Sequence, residues 1–158
     1  MTPTVLYKRA TFATRLPTSH LYTHSHSWLA QAGRGDSAAD RWRVGYTQFA
    51  LRMLGELVDV QFACQPGAAI RTGDIVGTIE GFKAISDIYC VGRGTFVAGN
   101  PALRDSLERL AHDPYAGWLY EFEGEPDARC LDVNAYQVLL SATIDRIMAR
   151  RNTGEFEA

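Results

Sequence analysis

Lysine is scarce in this chain. Of its 16 basic residues 14 are arginine, leaving only Lys8 and Lys83. Lys83 sits in the stretch IEGFKAISD, residues 79–87, with no other basic residue between Gly73 and Gly92. An amine at the apex of a tight hairpin is accessible to a modifying enzyme, and a rigid base under a long flexible arm is what a swinging carrier needs. Glu80 and Asp87 flank it, either as guides for that enzyme or as ordinary hairpin acids. His24 and His26 stand two apart, a possible metal spacing. A metal site needs three or four ligands, no third is evident, and no metal is assigned. Cys90 lies close to the lysine in sequence and could exchange with a disulfide, although a small buried apolar residue is the more common role of such a cysteine. No Ser-His-Asp order, phosphate loop or pair of catalytic carboxylates appears. The chain therefore reads as a carrier or a binding module, not an enzyme.

The elements that must position Lys83 follow from periodicity and turn residues. DIVGTIEGF (74–82) and AISDIYCV (84–91) read as strands meeting at the lysine. Strands are also predicted at 21–31, with Tyr22, His24, His26 and Trp28 on one face, and at 41–46, 56–63, 94–99 and 117–124. Residues 32–40 read as a loop and 65–74 as turn-rich. Thr47 can cap a short helix that Gly55 ends, with Ala50, Met53 and Leu54 on one face. Asn100 and Pro101 open a second helical stripe through Leu103, Leu107 and Leu110. Asp132 caps a C-terminal helix over 132–151, lined by Val133, Tyr136, Leu140, Ile144 and Ile147, with Arg146, Arg150 and Arg151 near its C-terminus. Trp28, Tyr115 and Trp118 read as packing residues, and His112-Asp113-Pro114 as a turn. Residues 1–20, with Pro3 and Pro17, read as an irregular arm, and the last residues as a frayed tail.

Composition narrows the function. With 46% hydrophobic and 22% charged residues, the 158-residue chain is an ordinary globular one. The net charge of −2 and the absence of a basic stripe argue against nucleic acid as a partner. No apolar run reaches the length of a membrane span, and the N-terminus lacks the apolar core of a secretory signal. Cys64, Cys90 and Cys130 are widely spaced without a CxxC, as expected of reduced thiols in a cytoplasmic protein.

Glu80-Gly81-Phe82-Lys83-Ala84-Ile85-Ser86-Asp87 resembles the lipoyl attachment motif Glu-Ser-Val-Lys-Ala-x-Ser-Asp. LYTHSHSWL (21–29), RVGYTQFALRMLGELVDVQF (43–62), NPALRDSLERLAHDPYAGWLYEFE (100–123) and LDVNAYQVLL (131–140) resemble, in order, segments of the glycine cleavage H-protein. The resemblance runs from about residue 21 to 145. It implies a mainly β fold, a barrel-sandwich hybrid of the lipoyl type with peripheral helices and a C-terminal helix. It also implies lipoic acid in amide linkage to Lys83, with Glu80, Gly81, Phe82, Ala84, Ser86 and Asp87 as supporting motif residues. The corresponding division is an arm at 1–20, a lipoyl domain at 21–131, a helix at 132–151 packed on that domain, and a tail at 152–158. Biotinyl carriers share the fold, but their lysine is flanked by methionine, unlike Phe82 and Ala84. An unmodified small-barrel binding module is the remaining alternative.

Four departures set the chain apart from the H-protein pattern. Ser27 replaces the glutamate of His-Glu-Trp. Gly81-Phe82 replaces Ser-Val. Tyr89-Cys90-Val91-Gly92-Arg93-Gly94 replaces Tyr-Ser-Pro-Val-Ser-Gly, and the arm YKRATFATRLP precedes the shared start. GFKAISDIYCVG and the arm resemble the lipoate-binding proteins of sulfur-oxidising prokaryotes. That resemblance implies a swinging arm carrying sulfur intermediates for a heterodisulfide-reductase-like complex. The alternative is an H-protein shuttling the aminomethyl group among glycine decarboxylase, aminomethyltransferase and dihydrolipoamide dehydrogenase. Either reading implies a lipoate-protein ligase or lipoyl synthase as a further partner.

Overall fold

The computed structural model describes residues 2–34 and 39–152. A six-stranded antiparallel sheet runs in the order β3 (Leu21–Tyr22), β4 (Ser27–Arg34), β5 (Asp40–Tyr46), β11 (Tyr120–Pro126), β10 (Gly92–Gly99) and β7 (Ala69–Ile70). A three-stranded sheet, β6 (Leu57–Phe62), β8 (Ile75–Gly81) and β9 (Ile85–Tyr89), packs across it. Alternation fixes the inward face. In β8, Gly77, Ile79 and Gly81 are buried while Thr78 and Glu80 are exposed, as period-two side-chain geometry requires; Val76 is buried out of phase, at the register shift between Ile75 and Gly77. Val76, Ile79 and Ile88 of the small sheet share one core with Leu29, Val44, Phe96, Tyr120 and Phe122 of the large one. This is the expected sandwich of two antiparallel sheets.

The other side of the large sheet is closed by α3 (Val133–Asn152) and by two strands not expected there, β1 (Thr4–Arg9) and β2 (Phe12–Pro17). The predicted irregular arm is a β-hairpin. Ala10 takes φ 52° in its turn, and Phe12, Thr14 and Leu16 alternate inward with Ala13 and Arg15 outward. Pro3 lies ahead of β1 and Pro17 ends β2, positions where a missing N–H is tolerated. The hairpin is tied to α3 by Tyr7 Oη–Ser141 Oγ at 2.8 Å and by a two-pronged Arg9–Asp145 pair at 2.8 Å. Tyr22 stacks on Tyr136 with ring centroids 4.6 Å apart. Trp28 is buried and donates its indole N–H to the carbonyls of Tyr46 and Pro114.

Four further expectations change. The single strand over 21–31 is a hairpin. Thr23 and Ser27 close its turn by a backbone bond of 3.0 Å, and His26 adopts φ 66°. The loop over 32–40 is shorter than expected, because β4 extends to Arg34 and β5 begins at Asp40; residues 35–38 lie outside the described residues. The stripe at 100–111 is broken into a 3-10 turn, Pro101–Arg104, and α2 (Glu108–His112), and of its leucines only Leu110 is buried. Asn100 caps the first piece through Ala102 N–H at 3.0 Å. Finally, α1 (Gln48–Leu54) buries Phe49, Leu51 and Leu54, while Met53 is exposed. The C-terminal helix behaves as predicted: Asp132 accepts the Ala135 N–H at 2.8 Å, and Val133, Tyr136, Leu140 and Ile144 are buried. The tail residues 153–158 lie outside the described residues.

Cross-strand ion pairs decorate the large sheet: Arg41–Glu123 at 2.8 Å, Arg43–Glu121 at 2.8 Å and Arg93–Glu125 at 2.9 Å. No helix of the described residues is long and apolar enough to cross a membrane.

The hairpin's place in the core gives the first prediction. Leu16 is 0% exposed, so Leu16→Ala is expected to cost about 2–5 kcal/mol by the usual penalty for truncating a buried leucine. Urea unfolding monitored by tryptophan fluorescence measures it. An unchanged midpoint would mean that β1 and β2 are only a loose arm.

Candidate functional site

The lysine turn joins β8 to β9. The strands pair through Ile79↔Ser86 and Glu80↔Ile85, and the Gly81 N–H closes the turn on Ala84 O at 2.9 Å. Phe82, Lys83 and Ala84 form the exposed apex. Two further bonds anchor the apex to another part of the chain. Lys83 N–H donates to Leu54 O at 2.9 Å, and Phe82 N–H donates to Glu56 O at 2.9 Å.

Those acceptors lie at the end of α1. A helix leaves its last carbonyls without intrahelical partners, and here the lysine turn supplies one. The helix is capped by Thr47, whose hydroxyl accepts from Ala50 N–H at 3.3 Å. It ends at Gly55, which takes φ 79° and returns its N–H to Leu51 O, a left-handed conformation that glycine adopts without steric cost. A side chain at Gly55 would also meet Lys83, with Cγ 2.9 Å from the added carbon. At Gly81 the constraint is close approach: an added Cβ would lie 2.2 Å from Leu54 O. Gly81 therefore stands where the motif has serine because a helix carbonyl fills the space. Phe82 shapes the turn through its backbone only, since its side chain is 76% exposed.

The charge around the apex is acidic. Glu80 faces Asp59 directly across β6 and β8, and both are exposed. Like charges so placed cost stability. Among the described residues no carboxylate pairs with the Lys83 ammonium. Asp87 is half-buried in the middle of β9, where its carbonyl accepts from Tyr46 Oη at 3.2 Å and from Ser86 Oγ at 3.0 Å. Burial pushes the Tyr46 phenol up to about 12, so it remains a donor at neutral pH. Phe82 and Ile85, 76% and 66% exposed, add an apolar rim.

The other candidate residues lie away from this apex. Ser27 is buried on β4 opposite Tyr46, with its N–H on Thr23 Oγ1 at 3.1 Å. An unpaired carboxylate at such a position would be costly; a serine is not. His24 is exposed in the turn, while His26 packs against Phe49 and places Nδ1 2.8 Å from Tyr136 Oη. They do not share a strand face. Cys90 is buried beyond the far end of β9, its thiol on Gly92 O at 3.0 Å, and burial raises its pKa to about 11. It is held as an unreactive thiol. The brace residues Leu54, Gly55 and Glu56 are the part of the site that sequence reasoning missed. Gly55 was legible as a helix stop, but its contact with a residue 28 positions later had no local signal.

Comparison with known proteins follows the same outline. The glycine cleavage H-protein family model matches residues 20–140. The glycine cleavage system H protein of Corynebacterium jeikeium is 35% identical over 127 residues, covering 78% of this chain and 96% of that protein. That of Escherichia coli is 35% identical over 129 residues, with 79% and 95% covered. The crystal structure of a glycine cleavage system H protein from Mycobacterium marinum superposes with a TM-score of 0.67 at 33% identity, covering 77% and 95% of the two chains.

Two predictions follow from this geometry. Gly81→Ser, which restores the motif residue, is expected to destabilise the protein by about 1–3 kcal/mol, the usual cost of overpacking. Thermal and urea unfolding test it, and an unchanged stability would mean that the end of α1 yields freely. The second concerns His26, whose pKa burial depresses to about 4 from 6.5, aided by His24 and Arg146. The folded state resists a proton that the unfolded chain accepts. Stability is thus complete above pH 6.5 and is lost as pH falls toward 4, by up to about 3 kcal/mol. His20, also lowered by burial, acts in the same sense. Urea midpoints at pH 7, 5.5 and 4.5 should show the slope, and His26→Gln should flatten most of it.

Proposed function

The chain belongs to the glycine cleavage H-protein family, non-catalytic carriers with lipoic acid on a lysine, and from that premise we propose that Lys83 is the attachment point. The observation that carries this reading is the position of the amine. Of the two lysines, Lys8 lies on β1, outside the span 20–140 matched by the family model. Lys83 lies inside it, on an exposed turn whose backbone is bonded at three N–H groups. When bound, the lipoyl group would supply a cyclic disulfide, which opens by accepting two electrons and so gives sulfurs able to carry and release a group.

The protein's own residues do the rest. The bonds from Gly81, Phe82 and Lys83 hold the base of the arm still, so motion is confined to the side chain and whatever it bears. Glu80 and Asp59 present negative charge beside the amine, suited to a partner whose entrance is basic. Phe82 and Ile85 offer apolar surface to the same entrance.

For the pathway, glycine cleavage is the better-supported reading. The relatives described above are glycine cleavage proteins. The features that pointed toward sulfur oxidation have structural explanations: Ser27 and Cys90 are buried, Gly81 makes room for Leu54 O, and the arm is a packed hairpin. The expected partners are therefore a lipoate-protein ligase or lipoyl synthase for loading, then glycine decarboxylase, aminomethyltransferase and dihydrolipoamide dehydrogenase. A heterodisulfide-reductase-like partner takes second place.

Mass spectrometry of protein from lipoylating cells should find one lipoyl group, on the peptide containing Lys83. Lys83→Arg should abolish it while shifting stability by less than about 0.5 kcal/mol, as surface substitutions do, and Lys8→Arg should retain it. Lipoylation persisting in Lys83→Arg would refute the assignment. With the three glycine cleavage enzymes, the loaded protein should support glycine decarboxylation; failure there alongside full lipoylation would favour the sulfur pathway.

A further inference from the structure

We propose that the N-terminal hairpin, β1 and β2, is a positioning element for Lys83, acting through α1. The hairpin lies outside the span 20–140 that the family model matches. It nevertheless grips α1 at three residues, Gln48, Phe49 and Arg52. Thr14 Oγ1 donates to Gln48 Oε1 at 2.7 Å. The Phe12 ring meets Phe49 edge-on, with centroids 5.6 Å apart. The Arg52 guanidinium lies over the other side of this junction, 5.6 Å from the Phe12 ring centroid. Thr14 and Phe12 are both buried, so the contact is part of the fold rather than a surface accident.

The helix between hairpin and lysine is short. α1 has seven residues, too few to be stable without tertiary contacts. Its placement is thus set by what holds it: the hairpin at Gln48, Phe49 and Arg52, Tyr136 Oη at 3.1 Å from the cap hydroxyl of Thr47, and the burial of Leu51 and Leu54 in the sandwich core. At its other end, Leu54 O receives the Lys83 N–H. A rigid helix of this length spans about 10 Å, and a tilt of roughly 10° moves its far end by about 2 Å. That is enough to take the 2.9 Å Lys83 N···Leu54 O bond beyond hydrogen-bonding range. Gly55 and Gly81, which leave no slack between the helix end and the turn, transmit the same displacement.

Thr14 and Phe12 are accordingly positioning residues. They touch neither the amine nor any cargo, and they fix the turn from which the amine projects. The importance of that turn for loading rests on Lys83 being the attachment point; the mechanical link itself does not.

Amide hydrogen exchange by NMR on the full chain tests the link. In Thr14→Val, the Lys83 and Phe82 amides should exchange about fivefold faster relative to the Ile79 and Phe122 amides, the scale expected for losing one hydrogen bond. Thr14→Ser, which keeps the hydroxyl, should restore protection. Phe12→Leu, which keeps an apolar side chain but removes the ring contact, should act like Thr14→Val if the latter folds poorly. The proposal is overturned if Lys83 and Phe82 speed up no more than Ile79 and Phe122, or if Thr14→Ser behaves like Thr14→Val. Lipoylation is read separately by mass. Its absence from the wild type would refute the attachment reading and leave the exchange result intact.

Discussion

The bond from the Lys83 amide to the Leu54 carbonyl is the constraint around which the rest is arranged. It joins a helix terminus to a hairpin apex, and each solves a problem for the other. The helix end gains a partner for an orphan carbonyl. The apex, whose residues 82–84 are exposed, gains a fixed reference in the body of the protein. Gly55 and Gly81 follow from this contact, since either side chain would drive the two segments apart. So does the division of labour in the turn, with backbone atoms bonded and side chains free. A carrier that must be recognised by several enzymes benefits from a turn with one shape and an arm with many.

The departures from the family motif read differently in three dimensions. Gly81 and Ser27 suggested altered chemistry around the arm. One is dictated by a carbonyl 2.2 Å from where a side chain would begin, and the other occupies a buried strand position. Cys90 is close to Lys83 along the chain, but a whole strand separates it from the apex. Phe82 is the departure that still faces outward. With Ile85 it makes an exposed apolar rim beside the lysine.

Most of the strands, the capping of α1 and α3, and the hairpin around Lys83 were legible from alternation, turn residues and cap residues. The failures have specific physical causes. The two prolines at 3 and 17 disguised the N-terminal hairpin, although the Phe12-Thr14-Leu16 alternation between them was a strand signal. Tyr22 and Trp28 share a two-residue period across His24 and His26, which concealed a turn held by Thr23 and by the positive φ of His26. Leu103 and Leu107 kept helical spacing across a break at Asp105. The brace on Lys83 could not be read at all, because it is made of backbone groups brought together by tertiary folding. Local patterns predict which atoms need partners, not where in the chain those partners are.

The ion pairs on the surface have a chemical consequence. Those described, at Arg9, Arg41, Arg43, Arg93 and Arg129, all use guanidinium groups. Arginine stays charged under physiological conditions and offers its carboxylate partners a fixed fork of donors. Amine-directed acylation therefore has nothing to dismantle in this electrostatic framework. With Lys83 as the proposed attachment point, exchanging its cation for a neutral amide would rearrange none of these contacts, so loading would alter the tip of the turn and leave the described ion pairs of the body unchanged.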